Sequence, residues 1–316
     1  MPGKMARSDP RPSVRVTRGA GSIQHLASVL QEGRENAKID AGLGFIWRIS
    51  AKLFRYQVDM SNTKNQSWSL IIFGFNEKDN LERVFRECAD CLRAMAASEY
   101  EIIIVDDGST DGTRQVAENI LKTELNTIAI FHKENLGIGQ TLLDGYRSAR
   151  FENVCAVPAD GQFDAKELMP FANFKDGSFV SFYREIRSGY SAYRNFLNRT
   201  NHWLNRVLGG ITLRDVNWVK IYKNAALRSL KLRLTSSLVE SEICGKLLRR
   251  GSECVETPSV YRPRATGVSK AGGLKSLTQV LRQTLLLYAS LLMETKDPSG
   301  RAAVEKSGDR KQKSLP

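Results

Sequence analysis

The chain has 316 residues, 41% hydrophobic and 26% charged, a composition that supports a globular core and excludes a fibre or a wholly disordered polymer. Lys and Arg outnumber Asp and Glu 47 to 34, and the excess sits at the ends: residues 1–66 hold 11 Lys/Arg against 5 Asp/Glu, and residues 296–316 hold 6 against 3. The middle is only mildly basic, so a nucleic-acid module with a basic stripe is not expected.

Residues 1–20 are rich in Pro, Arg, Gly and Ser and read as disordered. From Ser22 to about Met60 the apolar spacing turns helical, with Leu26, Val29 and Leu30, then Phe45, Ile46, Ile49 and Leu53. Arg48, Lys52 and Arg55 flank the second stripe, which fits an interfacial membrane helix or a helix packed on the rest of the chain. The polar run SNTKNQS closes this basic extension, 1–66.

From Trp68 the pattern changes to strands alternating with helices. SLIIFGF reads as a buried strand and NEKDNLERVFRECADCLRAMAA as a helix. EIIIVDD is a second strand, and its exit loop GSTDGT opens the helix RQVAENILKT. TIAIFH, the helix GIGQTLLDGYRSAR and the strand NVCAVPA follow. Such alternation implies βαβ units and a mainly parallel sheet, with ligands at the carboxyl ends of the strands. The unusual polar clusters fall there: Asn76–Glu77, Asp106–Asp107 and Asp160–Gln162. Carboxylates gathered at strand exits repel one another unless something positive binds.

After residue 165 a strand in GSFVSFYREIRSGY leads into a basic loop, and YRNFLNRTNHWLNRVLG is an amphipathic helix. VNWVKIYK reads as a short strand begun near Asp215, SSLVESEICGKLLRRG as a helix, and CVETPSVYRPR as an edge strand that tolerates its prolines. GLKSLTQVLRQTLLLYASLL carries apolar residues at helical spacing beside Lys275 and Arg282. It reads as a membrane-surface helix or as a core or dimer-forming one. Its apolar run, 284–293, is about half the ~20 residues that span a bilayer, and the N-terminus has no secretion-type apolar run. Five cysteines without a framework point to a reducing, cytoplasmic setting, and Cys88 and Cys91 read as core residues on one helix face.

FNE (75–77), VDDGSTDGT (105–113), ADGQFD (159–164) and ESEICGKLLRRG…VETPSVYRPRATGVSK (240–270) occur in that order. Together they resemble glycosyltransferase family 2, of the GT-A fold, and within it the branch that loads sugars onto polyprenyl phosphates. The resemblance covers about residues 68–280. It implies a Rossmann-like α/β domain at 67–280, with a mixed, mainly parallel sheet flanked by helices. An N-terminal helical extension would precede it, and a peripheral helix and basic tail, 281–316, would follow.

The resemblance also implies an inverting transfer from a nucleotide diphosphate sugar to a lipid phosphate, with the protein peripheral on the inner face of a membrane. Asp107 would contact the base, Asp106 the ribose, and Phe75, Asn76 and Glu77 would flank the nucleotide, with Gly108 shaping the loop. A divalent cation, Mg or Mn, would neutralise the pyrophosphate through Asp160 and Gln162, beside Gly161. Where many members carry Asp-Ala-Asp, this chain has Pro158-Ala159-Asp160, which predicts weaker metal affinity. Arg184, Arg264, Ser269 and Lys270 would face phosphates, with Arg187, Arg194 and Arg199 nearby, since arginine binds phosphate bidentately and stays charged.

Two rivals stay open: transfer to a saccharide or small-molecule hydroxyl with Asp215 as base, and a degenerate nucleotide-sugar binder. Glu242 is a further acid at the family's spacing. His25, His132 and His202 show no ligand spacing.

Overall fold

A computed structural model describes residues 65–184, 211–262 and 277–294. Its centre is one seven-stranded sheet in the order β3-β2-β1-β4-β6-β5-β7. The strands are β1 Trp68–Gly74, β2 Tyr100–Asp106, β3 Thr127–Phe131, β4 Asn153–Pro158, β5 Ser178–Arg184, β6 Lys220–Lys223 and β7 Glu253–Ser259. β1 pairs in parallel with both β2 and β4, β2 with β3, and β5 with β7. Only β6 runs the other way, antiparallel to β4 and β5. Six strand C-termini and the start of β6 therefore share one edge of the sheet.

The helices are α1 Lys78–Ala94, α2 Thr113–Thr123, α3 Ile138–Ser148, α4 Asn224–Ser229, α5 Val239–Arg249 and α6 Leu277–Leu292, with a 3-10 turn at Ala165–Phe171. Strand alternation divides the core. Ile71, Ile103, Val105, Val154 and Ala156 pack with Leu142, Leu143, Ile243 and Leu247 of α3 and α5. Their neighbours Leu70, Ile72, Ile102 and Ile104 are equally buried and, by the two-residue period, point to the opposite face. There α1 presents Leu81, Val84, Phe85, Cys88 and Leu92, the stripe its sequence foretold. Cys88 and Cys91 are buried free thiols of this packing, and burial lifts the Cys91 thiol to about 12. Pro258 lies in β7, an edge strand, where its missing N–H breaks no ladder.

Two polar assemblies carry the second half. Glu242 is fully buried. Its carboxylate takes the Lys246 ammonium at 2.9 Å, the amides of Arg233 and Leu234 at 3.0 and 2.9 Å, and the Ser290 hydroxyl. This binds α5, the segment before it and α6 together, which makes Glu242 a structural acid. Glu240 accepts the hydroxyls of Tyr146 and Tyr222 at 2.6 and 2.7 Å and lies 3.6 Å from the buried ammonium of Lys220.

The strand expected across VNWVKIYK is only its second half. Asp215 lies in a loop, and residues 216–219 fold into a turn because Lys220 Nζ donates to the carbonyls of Val216 at 2.5 Å and Trp218 at 2.9 Å. α6 buries Leu287 and Leu291 in the core, while Leu285, Leu286, Leu292 and Met293 stay exposed on its outer side. No helix among the described residues is long and apolar enough to cross a membrane.

Removing one partner of a buried ion pair leaves an uncompensated charge and two unpaired amides. Glu242→Ala should therefore lower unfolding stability by about 3–5 kcal/mol in a urea titration. A loss below about 1 kcal/mol would contradict the structural assignment.

Candidate active site

At the carboxyl edge the β1 and β2 exit loops are stitched together. Asn76 adopts φ 58°, a left-handed conformation that Asn tolerates better than most residues. Its Oδ1 accepts the Thr110 amide at 2.8 Å, and its own amide donates to Ser109 Oγ at 2.8 Å. The Glu77 amide donates to Thr113 Oγ1 at 2.8 Å and the Lys78 amide to Asp111 Oδ2 at 3.3 Å. FNE and GSTDGT are thus one unit, with Phe75 and Asn76 half-buried and Glu77 buried, its Oε2 accepting from Asn80 Nδ2 at 2.8 Å.

Asp106 is buried, which raises its carboxyl, while hydrogen bonds from Ser109 oppose the rise. Asp107 faces the loop after β3. Its Oδ1 lies 2.8 Å from His132 Nδ1 and accepts the Leu136 amide at 2.9 Å, and its Oδ2 accepts the Gly137 amide at 3.0 Å. Those contacts take most of a carboxylate's acceptor capacity, so in this structure Asp107 organises the β3 loop first. Gly108 (φ +72°) is obligatory, since a Cβ there would lie 2.4 Å from the Glu134 carbonyl carbon.

The β4 exit loop occupies the middle. Asp160 is 9% exposed, and its Oδ1 accepts the Gln162 amide at 3.1 Å. The Arg83 guanidinium fills the space that a Cβ on Gly161 would need. The Gln162 side-chain nitrogen donates to the Tyr261 hydroxyl, and the Gln162 main-chain carbonyl accepts the Arg262 amide at 3.0 Å. Arg262 in turn pairs with Asp164 and, at 3.1 Å, with Glu87. Among the described residues no three His, Cys, Asp or Glu side chains converge as a metal cage. One carboxylate and one amide oxygen are hard donors that suit Mg or Mn when phosphate oxygens and water complete the shell.

Beyond β6 the arrangement changes from acids to an arginine. Arg184, at the end of β5, donates from Nε and Nη2 to the Asp215 carboxylate at 2.8 and 3.2 Å. Their side chains are 15% and 3% exposed. The guanidinium carbon lies 4.7 Å from the Trp218 ring centroid and 5.9 Å from that of Tyr261. Asp215 also accepts the Asn217 amide at 3.3 Å.

The structure thus brings Phe75, Asn76, Glu77, Asp106, Asp107, Gly108, Asp160, Gly161, Gln162, Arg184 and Asp215 to one edge. Arg187, Arg194, Arg199, Arg264, Ser269 and Lys270 lie outside the described residues. Three neighbours of these residues were not singled out in the sequence: His132, Trp218 and Tyr261, the last standing only within the quoted run 240–270. His132 follows β3 directly, and the pairing of Asp106 with Phe131 sets its ring beside Asp107, a proximity that strand alignment alone would have shown.

The glycosyl transferase family 2 model matches residues 69–232. A polyprenol monophosphomannose synthase of Mycolicibacterium smegmatis is 24% identical over 219 residues, 65% of this chain and 80% of that protein. An undecaprenyl-phosphate 4-deoxy-4-formamido-L-arabinose transferase of Pseudomonas fluorescens is 31% identical over 101 residues, 32% of this chain and 29% of that one. Among solved structures, the mannosyltransferase PcManGT from Pyrobaculum calidifontis, in complex with GDP-Man and Mn2+, superposes with a TM-score of 0.51 at 18% identity, over 87% of this chain and 77% of that one. The fold is the GT-A fold.

The brace under the β4 loop is pH-sensitive. Glu167 Oε1 accepts the Val260 amide at 2.9 Å, and burial pushes its carboxyl up to about 7. Between the unfolded value of 4.5 and about 7 the folded chain binds the extra proton, so stability falls as pH rises through that window. Glu167→Gln should flatten this part of a thermal-stability profile, and an unchanged slope would contradict the assignment.

Proposed function

This chain belongs to glycosyltransferase family 2, and on that premise we propose that it transfers a sugar from a nucleotide diphosphate donor to a polyprenyl-phosphate acceptor with inversion. The observation that carries the reading is the order of chemistry along the edge. Acids and loop amides gather on the β3-β2-β1 side, one carboxylate loop stands at β4, and an arginine held among aromatic rings stands at β5. From β2 to β5 is four strand spacings, roughly 19 Å, room for a nucleotide at one end and an acceptor at the other.

In this reading FNE and DDGST hold the nucleoside, with Asp106 near the ribose and Asp107 fixing the loop against the base. Asp160 and Gln162 would hold the divalent cation, which supplies charge neutralisation at the pyrophosphate. Arg184 binds and orients the acceptor phosphate, together with Arg264, Ser269 and Lys270. An acceptor phosphate oxygen bonds to the anomeric carbon as the bond from that carbon to the nucleotide diphosphate oxygen breaks. The acceptor is already an anion, so no side chain has to remove a proton. The Mycolicibacterium relative is named for a polyprenol product, and the Pyrobaculum neighbour was solved with a nucleotide sugar and Mn2+; both support this assignment. Residues 1–66 we assign to an extension outside the catalytic domain.

Calorimetry with UDP and GDP tests the donor side. Wild type should bind one of them with Mn2+, and Asp160→Ala should weaken that binding at least about tenfold, the cost of a lost charge-assisted contact. Binding indifferent to metal and to Asp160 would favour the degenerate binder. Asp215→Asn separates the acceptor readings: with Asp215 as the partner of Arg184, acceptor KM rises more than kcat falls, whereas a base would lose kcat by about 100-fold or more. A lipid acceptor also places the protein at a membrane, and we assign that contact to the exposed Leu285, Leu286, Leu292 and Met293 of α6 beside Arg282. Sedimentation with anionic vesicles checks it: Leu285→Glu with Leu286→Glu should shift the protein to the supernatant, and undiminished sedimentation would refute the surface.

A further inference from the structure

We propose that Trp218 is a positioning residue for the acceptor phosphate, holding the Arg184 guanidinium at a fixed place relative to the Asp160–Gln162 loop. The inference rests on the functional reading above and deepens its acceptor side. Trp218 is half-buried and contacts Arg184, Phe163, Tyr261 and Ser259. One face meets the Arg184 guanidinium at 4.7 Å, a cation–π contact that favours one plane of the fork. Its ring packs 6.1 Å from Phe163, which belongs to the β4 loop, and 5.8 Å from Tyr261, whose hydroxyl receives the Gln162 amide. Its indole Nε1 donates to Ser259 Oγ at the end of β7 at 2.9 Å. One side chain therefore links the exits of β4, β5 and β7.

The backbone beneath it is fixed as firmly. Lys220 reaches back from β6 to hold the carbonyls of Val216 and Trp218, and the buried Glu240 lies beside that ammonium. Asp215 fixes the Nε edge of Arg184 and also accepts from Asn217, inside the same turn. Asp215 sets the direction of the guanidinium within its plane, and Trp218 sets the plane. A phosphate bound by a fork needs both, because two parallel hydrogen bonds tolerate little tilt. A lysine or an untethered arginine would supply charge without that geometry.

The test uses farnesyl phosphate as the acceptor probe, farnesol as its uncharged control, and the preferred nucleotide with Mn2+ as the donor probe, all by calorimetry on the full chain. Trp218→Leu should weaken farnesyl-phosphate binding about tenfold, leave nucleotide binding within about twofold, and not change the weak farnesol signal; Trp218→Phe, which keeps a ring over Arg184, should recover most of the affinity. Trp218→Met, which keeps an apolar side chain but no ring over Arg184, should weaken farnesyl phosphate in the same direction, and it replaces Trp218→Leu should that variant fail to fold by thermal denaturation. Wild-type affinity in the Leu or Met variant of Trp218, equal losses in Trp218→Leu and Trp218→Phe, or a parallel loss of nucleotide binding would each overturn the proposal. A wild-type chain that binds nucleotide but not farnesyl phosphate would instead overturn the acceptor reading on which it rests.

Discussion

Arg184 and Asp215 are two largely buried charges, each compensating the other. Their side chains are 15% and 3% exposed, and isolation of either at that depth would cost several kcal/mol. Two parallel hydrogen bonds, at 2.8 and 3.2 Å, make the pair tolerable. Much follows from that constraint. A carboxylate committed to a guanidinium is poorly suited to take a proton from a hydroxyl, so the chemistry at this end of the edge favours an acceptor that arrives ionised. The guanidinium, in turn, gains a direction from its partner and a plane from its aromatic neighbours, the preorganisation that the proposed anion contact at the end of β5 requires.

The opposite end is organised by the same means with the signs reversed. Asp107 gathers His132 and two amides of the β3 loop, and Gly108 lets the β2 loop lie directly on Glu134. Asn76 and Thr113 then lock the β1 and β2 exits into one surface. Between the two ends stands the β4 loop, to which we assign the cation; it offers one carboxylate, Asp160, with Pro158 where the family resemblance leads one to expect a first acid. The loop is compensated in rigidity rather than in charge: Arg262, Glu87 and Asp164 brace it from below, and Tyr261 holds Gln162 from the side.

Much of this was legible before any coordinates. The parallel half of the sheet followed from continuous apolar strands alternating with amphipathic helices, and the three polar clusters fell at strand exits that the structure gathers on one edge. The second half was harder for a physical reason: its organisation depends on side chains buried against expectation. Nothing in the sequence marks Lys220 as buried, yet its ammonium holds residues 216–219 in a turn, and Asp215 lies off the strand it was expected to start. Trp218 and Tyr261 are 43 positions apart and meet only because β6 and β7 flank β5. Glu242 had the spacing of a functional acid, and only its four partners from α5, α6 and the preceding segment reveal it as structural. Spacing reports which residues share an edge; it does not report which charges are already paired.

The account's central claim is transfer to an anionic lipid, and product analysis tests it most directly. The purified chain would be given radiolabelled UDP- and GDP-sugars with Mn2+ and either a short polyprenyl phosphate or the corresponding polyprenol. The account predicts label in the organic phase only with the phosphate, released by mild acid as free sugar, the behaviour of a glycosyl phosphate. Label carried by the polyprenol, or found only on soluble saccharides, would contradict it.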